Sequence, residues 1–270
     1  MQAAARVAEN EPVLLEALDK GVLRLTLNRP AQRNALSVEL MTALGQALDR
    51  AAAERNARVV VIAGAGPAFC AGHDLRELRG LSPDNRREAY QAGFAQCSAL
   101  MLSIVRLPKP VIAEVHGVAT AAGCQLVATC DLAVAAADAR FATPGVDIGL
   151  FCSTPMVALT RAIGRKPAME MLLTGELIDA EAARALGLIN RVVPRAELTR
   201  ATMALAERIA AKSAFTVAIG KEAFYRQAEL DLAEAYRYAS EVMTRNMLAE
   251  DAAEGIDAFL EKRQPVWKDA

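Results

Sequence analysis

Two mostly apolar runs open the chain, over residues 13–18 and 22–27, and both carry β-branched residues around the polar interruption Asp19-Lys20-Gly21. That spacing predicts a strand, a short Gly-containing turn and a second strand. From Ser37 the period changes: Leu40, Leu44, Leu48 and Ala51 recur every three or four residues, which predicts an amphipathic helix from an N-cap at Ser37 to about residue 55. Residues 59–63 (Val-Val-Val-Ile-Ala) form a continuous apolar run of the kind buried on both faces of a sheet, and a Gly-rich loop over 64–72 follows. A helix is predicted over 88–104, broken by Pro108 and Pro110, then a strand over 111–115. The small-residue segment 117–123 leads into a helix over 124–130, and 132–136 is the next strand.

From about Pro155 the pattern turns helical, over 155–163, 166–173, 180–186, 197–212, 215–229, 231–248 and 250–262, with one extended piece at 188–193. A mixed α/β core over 11–195 and a helical region over 196–270 is the expected division. The helical region is small for an independent core, so it packs either on a neighbouring subunit or back on its own chain. Residues 1–10 lack the apolar centre of a secretion signal and read as a loose tail.

Composition narrows the function classes. The chain has 270 residues, 53% of them hydrophobic, so a sizeable core is expected and disorder is excluded as the dominant state. With 31 Lys and Arg against 32 Asp and Glu, there is no basic stripe for nucleic acid or an anionic membrane, and 4% aromatic residues leave little for base stacking. No apolar stretch approaches the roughly 20 residues that span a bilayer. Five Cys without a CxxC pair indicate neither disulfide framework nor zinc knuckle; a reducing compartment, taken as the cytoplasm, is the expectation. His73 and His116 are too few for a multi-histidine metal site, so no metal is expected.

Phosphate and nucleophile motifs are absent. Gly64-Ala65-Gly66 has Phe69 where a dinucleotide fingerprint needs its third Gly, and neither GxxxxGK[ST] nor GxSxG occurs. What remains is two loops of small residues that each open a helix, Cys70-Ala71-Gly72-His73-Asp74 and Ala119-Thr120-Ala121-Ala122-Gly123. Helix starts carry unpaired N–H groups, and small side chains let a ligand reach them. Two such donors on one carbonyl oxygen make an oxyanion hole; from pattern alone tight packing is the more usual reason for such residues, since small-residue turns are common in α/β proteins.

The order and spacing of several motifs resemble the crotonase (enoyl-CoA hydratase/isomerase) superfamily over nearly the whole chain. They are Asn28-Arg29-Pro30 with Asn34-Ala35-Leu36, Phe69-Cys70-Ala71-Gly72-His73-Asp74-Leu75, Val115-His116-Gly117 and Gly123-Cys124-Gln125-Leu126 through Cys130-Asp131-Leu132-Ala133. Phe141-Ala142-Thr143-Pro144, Met171-Leu172-Leu173-Thr174-Gly175, Gly187-Leu188-Ile189-Asn190 and Phe259-Leu260-Glu261-Lys262-Arg263 continue the series. The resemblance implies an α/β fold, a crotonase-like spiral of ββα turns, whose region 196–270 completes neighbouring subunits in a homotrimer or a hexamer. It implies acyl-CoA thioesters as substrates, with no separate cofactor because coenzyme A belongs to the substrate. It places the oxyanion N–H groups at His73 and Ala122, with Ala71, Gly72, Asp74, Leu75 and Gly123 around the bound thioester.

This chain departs from the family at the two catalytic acids. Gln125 and Gly145 stand where family hydratases carry glutamates; Gln cannot accept a proton from water and Gly offers no side chain, so ordinary hydration is expected to be very weak. Asp147 is the nearest carboxylate in sequence and the candidate acid/base, with a loop-capping Asp as the alternative. Cys152 and Ser153 are candidates to line the acyl pocket or serve as nucleophile, against inert packing for Cys152. Arg29 and Arg33, with Lys262 or Arg263, are candidates for coenzyme A phosphates or surface salt bridges; His116 reads as structural and Glu77 as a solvated helix residue. Enolate chemistry such as isomerisation or decarboxylation, thioester hydrolysis, and silent acyl-CoA binding all remain open on these residues.

Overall fold

The computed structural model describes residues 11–80 and 82–270, so the tail expected over 1–10 lies outside the described residues. The first half runs β1 (Leu14–Asp19), β2 (Val22–Leu27), α1 (Val38–Ala53), β3 (Val59–Gly64), α2 (Leu75–Arg79), α3 (Arg86–Arg106), β4 (Val111–Val115), β5 (Val118–Thr120), α4 (Ala122–Thr129), β6 (Leu132–Ala136) and β7 (Arg140–Ala142). A 3-10 turn, Pro144–Ile148, leads to α5 (Pro155–Ala162), α6 (Arg165–Thr174), β8 (Ile178–Asp179), α7 (Ala180–Leu186) and β9 (Arg191–Val193). Four helices close the chain: α8 (Leu198–Ala210), α9 (Ala214–Gln227), α10 (Leu232–Met247) and α11 (Glu250–Glu261).

The opening hairpin turns at Lys20 (φ +46°) and Gly21 (φ +80°), the pair of positive φ values that matches the twist of two antiparallel strands. The main sheet has the order β1-β2-β3-β4-β6-β9, with β1 antiparallel to β2 and every other pairing parallel. Parallel strands need crossovers, and α1, α3, α4 and α7 lie within those connections. Alternation on the central strands explains their unbroken apolar runs. Val60, Ile62, Val111, Ala113, Ala133 and Ala135 face one core with Leu40, Leu44 and Leu48 of α1. Val59, Val61, Ile112, Val134 and Ala136 face a second core closed by Leu198, Leu205 and Ala206 of α8. Ser37 caps α1 as its sequence predicts, its Oγ accepting from the Leu40 N–H at 3.1 Å.

Residues 117–123, expected as a loop, contain β5, which joins β7 and β8 in a small second sheet. The last helices divide. α9 is clamped to its own core: Lys221 Nζ donates to Asp131 at 2.7 Å and to the Ile104 and Lys109 carbonyls, and the Tyr225 hydroxyl donates to Asp131 at 2.8 Å. The C-terminal segment is held similarly, by Asp269 paired with Arg58 at 2.6 Å and by Asp251 accepting from the Lys268 and Asp269 N–H groups. α10 buries no residue, and Leu232, Tyr236, Met243 and Met247 form an exposed apolar stripe along it.

Candidate active site

The two small-residue loops lie against each other and are stitched together through the backbone. Cys70 N–H donates to Val118 O at 3.1 Å, Thr120 N–H donates to Cys70 O at 3.0 Å, and Thr120 Oγ1 donates to Ala71 O at 3.2 Å. On its other side the first loop is tied to the segment before α1: Ala71 N–H donates to Arg33 O, Leu36 N–H to Gly72 O and Asp74 N–H to Leu36 O. Asn34, fully buried at φ +54°, fixes that segment, accepting from Arg29 N–H and donating to the Ala65 and Ala68 carbonyls.

Backbone contact this close demands residues without side chains. A Cβ on Gly123 would lie 2.1 Å from Cys70 O, and a Cβ on Gly72 (φ +95°) would lie 2.9 Å from Ala121 Cβ. That Cβ would also lie 3.3 Å from Ala122 N, so the Gly72–His73 peptide runs beside the start of α4. Neither the His73 amide nor the Ala122 amide has a hydrogen-bond acceptor among the described residues. Ala122 opens α4, whose dipole adds positive potential there. Ala121, just before it, has φ +51° and ψ −118°, a conformation costly for a residue with a Cβ and one that aims the next N–H out of the helix. Ala121 belongs to the small-residue loop named from the sequence, but its backbone conformation leaves no mark there.

Buried polar side-chain atoms without partners occur within these loops and in the residues that follow them. Gln125 Oε1, in the first turn of α4, is buried and unpartnered. So are His73 Nε2 and Thr143 Oγ1, the latter one residue past the Ala142 carbonyl that accepts Ala121 N–H. Burial lowers the His73 pKa, so its imidazole is neutral at pH 7, and its ring meets Phe94 of α3 edge-on at 5.6 Å. Unpaired buried polar atoms are costly and mark a place where a ligand supplies the missing bond.

The second acid position is closed rather than merely vacant. A Cβ on Gly145 would lie 2.7 Å from Leu150 O and 2.9 Å from Cys152 Sγ, so the Cys152 side chain fills the space where a glutamate would leave the backbone. Burial raises the Cys152 thiol above its ordinary value, opposed by the Gly145 N–H, so burial works against thiolate formation. Asp147 is exposed and has no hydrogen bond among the described residues; its carboxylate sits against Gly175 at the C-terminal end of α6, 3.0 Å from where a Cβ there would be.

For several of the surface candidates, the salt-bridge alternative is the one the contacts match. Arg29 is committed within the chain, donating to Asp74 at 2.9 Å and to Ala35 O, and Asp74 also caps α2 through the Arg76 and Glu77 N–H groups. The Arg29 guanidinium and these N–H groups hold the Asp74 carboxyl below its usual range, against the effect of burial. Glu77 is an exposed residue of α2, and its Oε2 also accepts from Val38 N–H at the start of α1. Arg263 is engaged by Glu254 and Glu261. His116 is structural as expected, its Nε2 2.9 Å from Gly66 O. Arg33 keeps its charge free of ion pairs among the described residues. It lines a cavity of about 270 Å³ with Gln32, Asp74, Leu75 and Arg76, and Arg76 is a cation that sequence reasoning passed over. Leu75 is exposed at its edge and Ala71 half-buried beside it in the loop. Among the described residues no group of three His, Cys, Asp or Glu is placed to hold a metal ion, and no helix is long and apolar enough to cross a membrane.

Comparison with known proteins agrees with this architecture. The human enoyl-CoA hydratase domain-containing protein 3, mitochondrial, is 46% identical over 265 residues, covering 98% of this chain and 86% of that protein. An enoyl-CoA hydratase structure from Mycobacterium smegmatis superposes with a TM-score of 0.92 at 54% identity, covering 95% and 99% of the two chains. The structure of the human domain-containing protein 3 gives 0.91 at 46% identity, covering 94% and 100%. The human, Xenopus laevis and Rattus norvegicus relatives are mitochondrial by name, which overturns the expectation of a cytoplasmic protein. Free cysteines point to reducing surroundings, and that property does not single out the cytoplasm. The family model for enoyl-CoA hydratase/isomerase matches residues 17–270, and this chain belongs to that family.

Proposed function

We propose that this chain binds acyl-CoA thioesters and stabilises the thioester enolate between the N–H groups of His73 and Ala122. The observation that carries the reading is the pair of unpartnered amides at His73 and Ala122, on loops that Gly72 and Gly123 allow to touch. As the α-proton leaves, its electron pair delocalises onto the thioester oxygen, where two fixed dipoles meet the growing charge without reorganising. Arg33 and Arg76 are suited to coenzyme A phosphates at the edge of the first loop. A neutral His73 and Gln125 can hydrogen-bond the acyl group or a water, and neither is a strong base. The proton carrier we assign to Asp147, whose removal in Asp147→Ala is expected to slow turnover.

The closed Gly145 position favours a second reading, a paralogue that binds acyl-CoA without turnover. One experiment separates them: incubation with enoyl-, hydroxyacyl- and malonyl-CoA in D2O, following α-carbon deuteration, product mass and free thiol. Deuterium uptake with little hydration of crotonyl-CoA is expected. Thermal stabilisation by acyl-CoA without exchange selects the silent binder. Absence of both refutes acyl-CoA as ligand. The exposed stripe on α10, with Leu248 and Phe259 beyond it, is further proposed as a subunit contact of a trimer or hexamer, to be read from light-scattering mass.

A further inference from the structure

The first half of α3 does something that core packing does not account for. Its buried residues begin only at Cys97, yet its earlier turns carry Tyr90 and Phe94. Arg87, Tyr90, Gln91 and Phe94 follow the spacing i, i+3, i+4, i+7 and so share one helix face. Phe94 touches the His73 ring at 5.6 Å and Tyr90 touches Phe94 at 6.4 Å, so an aromatic track leaves the oxyanion loop along the helix. The same face, with Arg86, borders an open surface hollow of about 640 Å³, and none of the residues lining it is acidic. Arg87 has no ion pair among the described residues. Behind Phe94, His73 Nε2 is buried without a partner.

We infer that the preferred acyl group ends in a carboxylate, carried along the Phe94–Tyr90 face and bound at its far end by Arg87. The inference rests on the acyl-CoA reading above and names the substrate class for that site. A plain aliphatic chain would leave apolar atoms on an open face that ends in a cation; a terminal carboxylate matches the guanidinium fork, while the methylenes lie on the rings. Spacing sets the chain length. From Phe94 back to Arg87 is seven residues, about 10 Å along the axis, and helical side chains lean toward the N-terminus, so the cation is farther still from His73. A short diacid cannot reach it, and a medium-length one can.

The test uses the full chain with suberyl-CoA against octanoyl-CoA, and succinyl-CoA against butyryl-CoA, by titration calorimetry. Suberyl-CoA is expected to bind about fivefold more tightly than octanoyl-CoA, with no such preference in the shorter pair. Arg87→Gln is expected to abolish the preference and Arg87→Glu to reverse it, both with unchanged melting temperature because Arg87 is exposed. Equal affinity for suberyl- and octanoyl-CoA, or a preference that survives Arg87→Gln, overturns the inference while leaving acyl-CoA binding intact. So does an equal loss for both acyl groups in Arg87→Gln, which would place Arg87 on the coenzyme. Binding of none of the four thioesters overturns the acyl-CoA reading itself.

Discussion

Replacing Gly123 by Ala probes the contact on which the proposed oxyanion geometry depends. The new Cβ would lie 2.1 Å from Cys70 O, 2.8 Å from its carbonyl carbon and 2.9 Å from Cys70 Cβ. A tolerable C···O approach is about 3.3 Å, so the loops must part by roughly 1 Å. Neither side yields alone, since Cys70 is bonded through both its N–H and its carbonyl to β5. Overpacking costs about 1–3 kcal/mol, and a backbone obstacle puts this case at the upper end. At roughly 2–4 °C per kcal/mol for a chain of this size, melting is expected to fall by about 4–12 °C. The same movement carries Ala122 N–H away from His73 N–H, and a displacement of that size is expected to slow α-proton exchange on the order of a hundredfold. Differential scanning calorimetry and exchange followed by mass spectrometry measure the two effects. Gly45→Ala, where a Cβ meets nothing within 4 Å inside α1, is the control and is expected to stabilise by about 0.5–1 kcal/mol. A Gly123→Ala protein that melts and exchanges like the parent would refute the stitched-loop account.

Gln125→Glu restores one proton acceptor at a buried position, and crotonyl-CoA hydration, followed by loss of enoyl absorbance, is expected to rise at least about tenfold; an unchanged rate means that proton transfer is not what limits it. Lys221→Met leaves Asp131 buried without its cation and is expected to cost about 3–5 kcal/mol in urea unfolding, since both partners are largely shielded from water; a loss under 1 kcal/mol contradicts the clamp. Asp251 loses stabilisation through desolvation, but its bonds from Ser213 and the Lys268 and Asp269 N–H groups outweigh this and lower its pKa below the ordinary value. Such a carboxylate contributes stability that is full above its unfolded pKa, about 3.9, and is lost as pH falls through its folded value. Asp251→Asn is therefore expected to lower the melting temperature at pH 7, with the gap closing in acid; a gap that persists at pH 2 would assign the effect to packing.

Much of the framework is legible along the chain because long elements repeat their period. Residues 111–115, 132–136 and 180–186 match the observed β4, β6 and α7, and Ser37 caps α1 where its sequence places it. β5, β7 and β8 escape because two or three residues hold barely one turn of the two-residue period, and they exist only by pairing with each other. α2 follows Asp74 where a helix start is expected, but the contacts that Asp74 and Glu77 make escape, because they join residues far apart in the chain.

For the site, the sequence by itself determined the residue types: small residues at 71–72 and 119–123, an amide at 125, no side chain at 145, and a motif order that identifies the family. These are statements about identity, and identity needs no coordinates. Tertiary structure alone decided which groups are spent and which are free. Arg29 proves to be held by Asp74, 45 residues away, and the Gly145 space is taken by Cys152; Arg33, Arg76 and Arg87 keep their charges available. Pairings over such separations follow from how parallel strands bring distant loops to one edge of a sheet, and they leave no periodic trace in the residues that make them.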